Sequence, residues 1–187
     1  MNQITSCDGS YGNTGWLGLA SISFYTATGH IAQGTSKVNN TYFNQAAYNT
    51  IPWQQLVICQ EIGHNFGLGH VNEVNNNANT GSCMDYTNDP DGGAGGASPS
   101  DPSNMHPNAH DYALINSKHN HVGSAALLPG LAPLRQAEMP AKLAAYNPLK
   151  LSELGTLVAS GSDGRTEQYE KDFGGGWKVS NLVIRAR

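Results

Sequence analysis

Apolar residues fall along the chain in three patterns, each predicting a different element. Gly15-Trp16-Leu17-Gly18-Leu19-Ala20-Ser21-Ile22-Ser23-Phe24-Tyr25 is a run of apolar and small residues that reads as an extended, largely buried strand. Lys37–Phe43 reads as a second, shorter strand beyond a turn at Thr28-Gly29-His30. From Trp53 to Phe66 no proline intervenes, and Ile58, Ile62 and Phe66 recur every four residues, which predicts a helix laying that stripe on a sheet. Thr50 is placed to cap this helix and Pro52 falls in its first turn. Residues 1–14 are polar and turn-rich, and 87–104 form another polar loop. His106–Ile115 predicts a second helix, with Pro107 in its first turn. Prolines at 129, 133, 140 and 148 leave residues 123–153 as a linker or strap. Gly155–Ser160, Thr166–Phe173 and Lys178–Ala186 then read as three short strands, turning at Ser162-Asp163-Gly164 and Gly174-Gly175-Gly176.

Composition narrows the class. At 187 residues the chain fits one domain, or one domain with an appendage. Charged residues are 13% and the net charge is −4, so no field suited to nucleic acid is present. No apolar run reaches bilayer-spanning length, so no membrane partner is expected. The abundance of Asn, Gly, Ser and Thr fits a loop-rich extracellular protein, and Met1-Asn2-Gln3 opens directly into polar sequence, as expected of a processed chain.

The chemistry concentrates in Cys59-Gln60-Glu61-Ile62-Gly63-His64-Asn65-Phe66-Gly67-Leu68-Gly69-His70, a QExxHxxGxxH pattern. Gln60 and His64, four apart, project from one helical face, and Glu61 lies beside it. Gly67 allows a left-handed turn that brings His70 back towards them. Three converging donors with one position left open are what a catalytic zinc requires. A buried helix with two structural histidines is the alternative, and it leaves the carboxylate and the glycine at these spacings without a reason.

This stretch, together with Ser82-Cys83-Met84-Asp85-Tyr86, resembles the metzincin zinc metalloproteases, which pair the long histidine motif with a methionine turn. Here Gln60 stands where that family has its first histidine. The resemblance implies an α+β catalytic domain over residues 1–122, with a twisted mixed sheet, metal helix, methionine turn and C-terminal helix. Residues 154–187 would follow as a small β-rich extension. It implies one Zn2+ held by Gln60, His64 and His70, Met84 as the floor beneath it, and Glu61 as general base on a metal-bound water. Tyr86 would support the oxyanion, and Gly18, Leu19 and Ala20 would form a rim strand to which substrate adds. Because helix and turn would both approach the metal, Cys59–Cys83 is the expected disulfide, with Cys7 spare; three reduced cysteines are the alternative. Asp85, Asp89 and Asp91 are a weak candidate calcium set that lacks the alternating loop. The implied function is a secreted, monomeric zinc endopeptidase acting on extended protein substrates. The competing function is a pseudo-protease that binds peptide or protein because Gln60 weakens the metal site.

Overall fold

The computed structural model describes residues 3–72, 74, 77–93, 99–120, 138–162 and 164–186. Their order is β1 (Gln3–Gly9), β2 (Trp16–Tyr25), β3 (Ile31–Asn39), α1 (Asn40–Phe43), α2 (Ile51–Asn65), α3 (Ala109–His119), α4 (Ala141–Ala144), β4 (Thr156–Ser160), β5 (Thr166–Gly174) and β6 (Trp177–Arg185). The architecture is α+β: one six-stranded mixed sheet, ordered β1-β3-β2-β6-β5-β4, with helices and a strap laid on its faces. Only β1 and β3 run parallel; every other neighbour pair is antiparallel.

Two expectations change at the N-terminal edge. The turn-rich opening holds β1, whose residues are exposed from Gln3 to Asp8, so no buried face gave it a hydrophobic alternation. The strand expected over Lys37–Phe43 divides at Asn39. Its side-chain oxygen accepts from Thr41 N at 3.2 Å and starts α1, while its Nδ2 donates to Gly12 O and Thr14 Oγ1. An asparagine that can cap outweighs the strand propensity of Thr41-Tyr42-Phe43.

The three C-terminal strands form where the sequence placed them, but they are not a unit of their own. β6 pairs with β2 from Trp16↔Arg185 to Tyr25↔Trp177, putting the last strand beside the most buried one. Its near-continuous burial from Val179 to Ile184 follows from that central place. The part of the strap that is described, 138–153, is structured together with Leu154 after it. It carries α4 and a short 3-10 turn at Leu151–Glu153, and it buries Leu143 and Leu154 on the sheet. Residues 121–137, which include about half of the expected linker, and Asp163 of the expected turn lie outside the described residues.

The sheet thus has two covered faces. On one, Leu143 packs with Trp177 and Val179, and Leu154 with Trp16, Leu19 and Val183. On the other lies α2, started as expected by Thr50 Oγ1, which accepts from Trp53 N. The stripe that α2 turns to the sheet is not Ile58, Ile62 and Phe66, which are only half-buried. It is Val57, Glu61 and Asn65: a Cβ on Gly18 would collide with Glu61 Oε1 and meet Val57 Cγ1 at 2.7 Å, and one on Gly34 would lie 2.8 Å from Asn65. Glycines in β2 and β3 leave room for a helix that approaches with polar side chains.

Candidate metal centre

The last two turns of α2 bury an unusual set of side chains. Gln60 and Glu61 are wholly buried and His64 is 1% exposed, yet Gln60 Oε1 and Nε2 and both Glu61 oxygens find no hydrogen-bond partner among the described residues. Unpaired buried polar atoms cost roughly 1–3 kcal/mol each, more when charged, so native folds keep them where a ligand or a reaction makes use of them. Burial pushes the Glu61 carboxyl well above its usual range, with the nearby Ala20 backbone as the opposing influence.

The two imidazoles converge. Gly67, at φ +80°, ends α2 and turns the chain back, and the His64 and His70 rings stand edge to face with centroids 4.7 Å apart. His64 Nδ1 lies 2.8 Å from Leu68 O; with Nδ1–H donating there, Nε2 is left as the lone-pair nitrogen. Burial first, and the neighbouring His70 second, lower the His64 pKa from 6.5 to about 3, against the Leu68 bond, so the ring is neutral at physiological pH. A neutral ring oriented by a backbone carbonyl is the form that ligates a metal.

The segment after His70 is stitched to the turn that carries Met84. Val71 N donates to Met84 O at 2.8 Å, and Tyr86 N donates to Asn72 O at 3.1 Å. Met84 is buried with its sulfur against Gly63, in the helical turn that bears Gln60 and His64. The turn is anchored from behind. Ser82 Oγ accepts from Met84 N and donates to Asp111 Oδ2 at 2.6 Å, and Asp111 closes the capping box that begins α3 at Asn108. Pro107 therefore precedes the cap instead of occupying the first turn. The Cys59–Cys83 disulfide, with Cα atoms 6.0 Å apart, joins the residue before Gln60 to the residue before Met84, and Cys7 is free and exposed.

Other expected site residues take different parts, although Gly18 and Ala20 lie against Glu61. Gly18, Leu19 and Ala20 cannot act as a rim that takes up a peptide, because β2 is paired on both sides, with β3 and with β6. The open edges of the sheet belong to β1 and β4. Tyr86 is 1% exposed and packs in an apolar cluster with Leu17, Val57 and Ile184, so its ring serves the core. Asp85 is also buried, and its Oδ2 accepts from Thr80 N and Asn104 Nδ2, which commits it to the loop. Among the described residues no group of three or more His, Cys, Asp or Glu is placed to hold a metal ion.

The sequence reading missed what faces His70. A cavity of about 20 Å³ is lined by His70 and by the turn and start of β5, including Ser160, Gly161, Thr166 and Gln168, with Leu182 of β6. Roomier cavities, of about 600 and 640 Å³, lie elsewhere, at the C-terminal ends of α2 and α3 and between the strap and β5. The available signal was Thr166 and Gln168, two polar residues at the inward positions of an alternating strand. No family model, no curated protein and no solved structure matches the chain.

Proposed function

We propose that the chain is a zinc-dependent endopeptidase of metzincin type, with the metal held by Gln60 Oε1 and the Nε2 atoms of His64 and His70. The observation that carries this reading is the burial of Gln60 and Glu61, without hydrogen-bond partners, next to two converging imidazoles of which one is fixed by Leu68 O. A nitrogen- and oxygen-donor set of this kind suits zinc, and an ion there would supply the positive charge that makes a buried Glu61 carboxylate affordable. When bound, zinc polarises a carbonyl and lowers the pKa of a water.

The chain's own residues would do the rest. Glu61, wholly buried beside Gln60, would take the proton from the attacking water and pass it to the leaving amine. Leu68 O keeps the His64 ring in one tautomer and orientation. Met84 and the disulfide hold the metal helix against the turn, which fixes the spacing of donors that come from two segments. The disulfide agrees with an oxidising, extracellular setting, and no helix among the described residues is long and apolar enough to cross a membrane.

One observation favours a second reading, a peptide- or protein-binding module descended from such an enzyme: the cavity at His70 has room for about one water, not a peptide. Casein hydrolysis separates the two. Cleavage that a chelator stops and that Glu61→Ala abolishes supports the endopeptidase. Absence of cleavage by the parent chain at any zinc concentration favours the binding module.

A further inference from the structure

We infer that the cavity at the C-terminal ends of α2 and α3 binds a small apolar carboxylate, that is, an apolar body carrying one anionic end. The inference stands apart from the metal-site reading above, because none of Gln60, Glu61, His64, His70 and Met84 lines this cavity.

The cavity holds about 600 Å³, inside the range of roughly 300–1,000 Å³ typical of small-molecule sites. Its walls come from the start of β1, the turn before β3 and the first part of β3, the end of α2 and the last turns of α3. Ile4, Ile31, Phe66 and Ile115 give it apolar surface. Ile4 is 42% exposed, so a ligand's apolar body would cover a side chain that folding leaves in water.

The charge around the cavity has one sign. Lys118, His119 and His30 line it, and no Asp or Glu is among the described residues that do. The chain as a whole is acidic, with 14 Asp and Glu against 10 Lys and Arg, so a lining without carboxylates runs against its average. Lys118 and His119 lie in the last turn of α3, where a helix end attracts cations in any case. His30 comes from the turn before β3, so the basic lining is not the work of that helix end alone.

Both basic residues of α3 are held beside the end of α2. A Cβ on Gly67 would meet Ile31 Cδ1 at 3.5 Å and Lys118 Cδ at 3.7 Å, which places the lysine stem next to the apolar wall. The Lys118 ammonium is in no ion pair among the described residues. His119 Nε2 lies 2.9 Å from Phe66 O; with Nε2–H donating there, the imidazolium form keeps Nδ1–H for a ligand. An ammonium and a second donor beside an apolar wall suit a carboxylate on an apolar body. A fatty acid and the C-terminal end of an apolar peptide share this chemistry.

The test is isothermal titration of the full chain with two acids, each beside an uncharged counterpart: octanoate with octan-1-ol, and N-acetyl-leucyl-leucine with its amide. An acid is expected to bind saturably at a single site, about 10-fold more tightly than its counterpart. Lys118→Met keeps the stem and removes the charge, so it should weaken the acid about 10-fold and leave the counterpart unchanged. Ile4→Ser should weaken acid and counterpart alike. Both side chains are exposed, so each variant should melt with the parent.

Binding of octanoate alone supports the inference with a fatty acid as ligand, binding of the dipeptide alone supports it with a peptide terminus, and binding of both supports the shared chemistry. No saturable binding of either acid overturns it. So does a counterpart that binds as tightly as its acid, or an acid whose affinity survives Lys118→Met.

Discussion

The two faces of the sheet bury polar groups in opposite ways. Under the strap they are paired. Asn181 Oδ1 accepts from Ser21 Oγ at 2.6 Å while its Nδ2 donates to Leu154 O at 2.8 Å, Trp16 Nε1 donates to Leu149 O, and Lys37 Nζ donates to Pro148 O at 2.6 Å. Under α2, Gln60 and Glu61 are just as deeply buried and remain without partners. Burial alone therefore does not distinguish the two faces; the hydrogen bonds that Gln60 and Glu61 leave unmade do. The polar groups of the strap face fix one backbone path across the sheet, whereas on the α2 face Asn65 is bonded to Ser36 Oγ and the Gln60 and Glu61 side chains are not bonded.

The contrast can be broken first, and with the largest effect, at Glu61. Glu61→Gln is expected to lower peptide hydrolysis by about 10²–10⁴. Because it removes a buried carboxyl with no partner, it should leave the metal-free chain as stable as the parent or more so in thermal denaturation. A loss of stability alongside the loss of activity would place Glu61 with the structural polar groups of the other face.

The disulfide comes next. Its ends are 24 residues apart, so reduction should cost about 3 kcal/mol, or roughly 10 °C in Tm. It should also weaken zinc binding, because it ties Gln60 to the turn behind Met84. Zinc titration of the reduced chain below its melting temperature checks the second point, and unchanged affinity would show that Met84 and the Val71–Met84 hydrogen bond suffice.

On the strap face, Asn181→Leu strands Ser21, Tyr146 and the Leu154 carbonyl, and should cost roughly 2–3 kcal/mol with zinc affinity unaltered. Urea unfolding measures the first and zinc titration the second. Zinc affinity that fell with stability would mean the two faces are coupled through β6.

The smallest effect is a pH dependence at Lys37. Burial pulls its ammonium from 10.5 down to about 8, against the pull of Cys7 and Glu153. The folded value lies below the unfolded one, so between about pH 8 and 10.5 the unfolded chain holds more protons and stability rises with pH. Tyr146 and Tyr169, both raised to about 12 chiefly by burial, act in the other direction once unfolded phenols ionise above pH 10. Urea unfolding between pH 7.5 and 9.5 should therefore show an upward slope that Lys37→Met flattens. An equal slope in both proteins would assign it to another group.

What the sequence determined by itself was local. Thr50, Pro52 and Gly67 bound α2 because capping and left-handed turns depend on a few adjacent residues. The spacing of Gln60, Glu61 and His64 places them on or beside one helical face for the same reason. The C-terminal strands were legible from their own alternation and glycine turns.

Tertiary structure alone decided which elements meet. β1 carries no pattern because it is exposed on an edge. Nothing within Trp177–Arg185 states that it belongs beside β2. The face that α2 turns inward ran against the Ile58, Ile62 and Phe66 periodicity, because Gly18 and Gly34 make room for Glu61 and Asn65. Hydrophobic periodicity finds faces buried for packing. A face buried around a polar site gives no such signal, and only the assembled sheet shows that Thr166 and His70 line the same cavity.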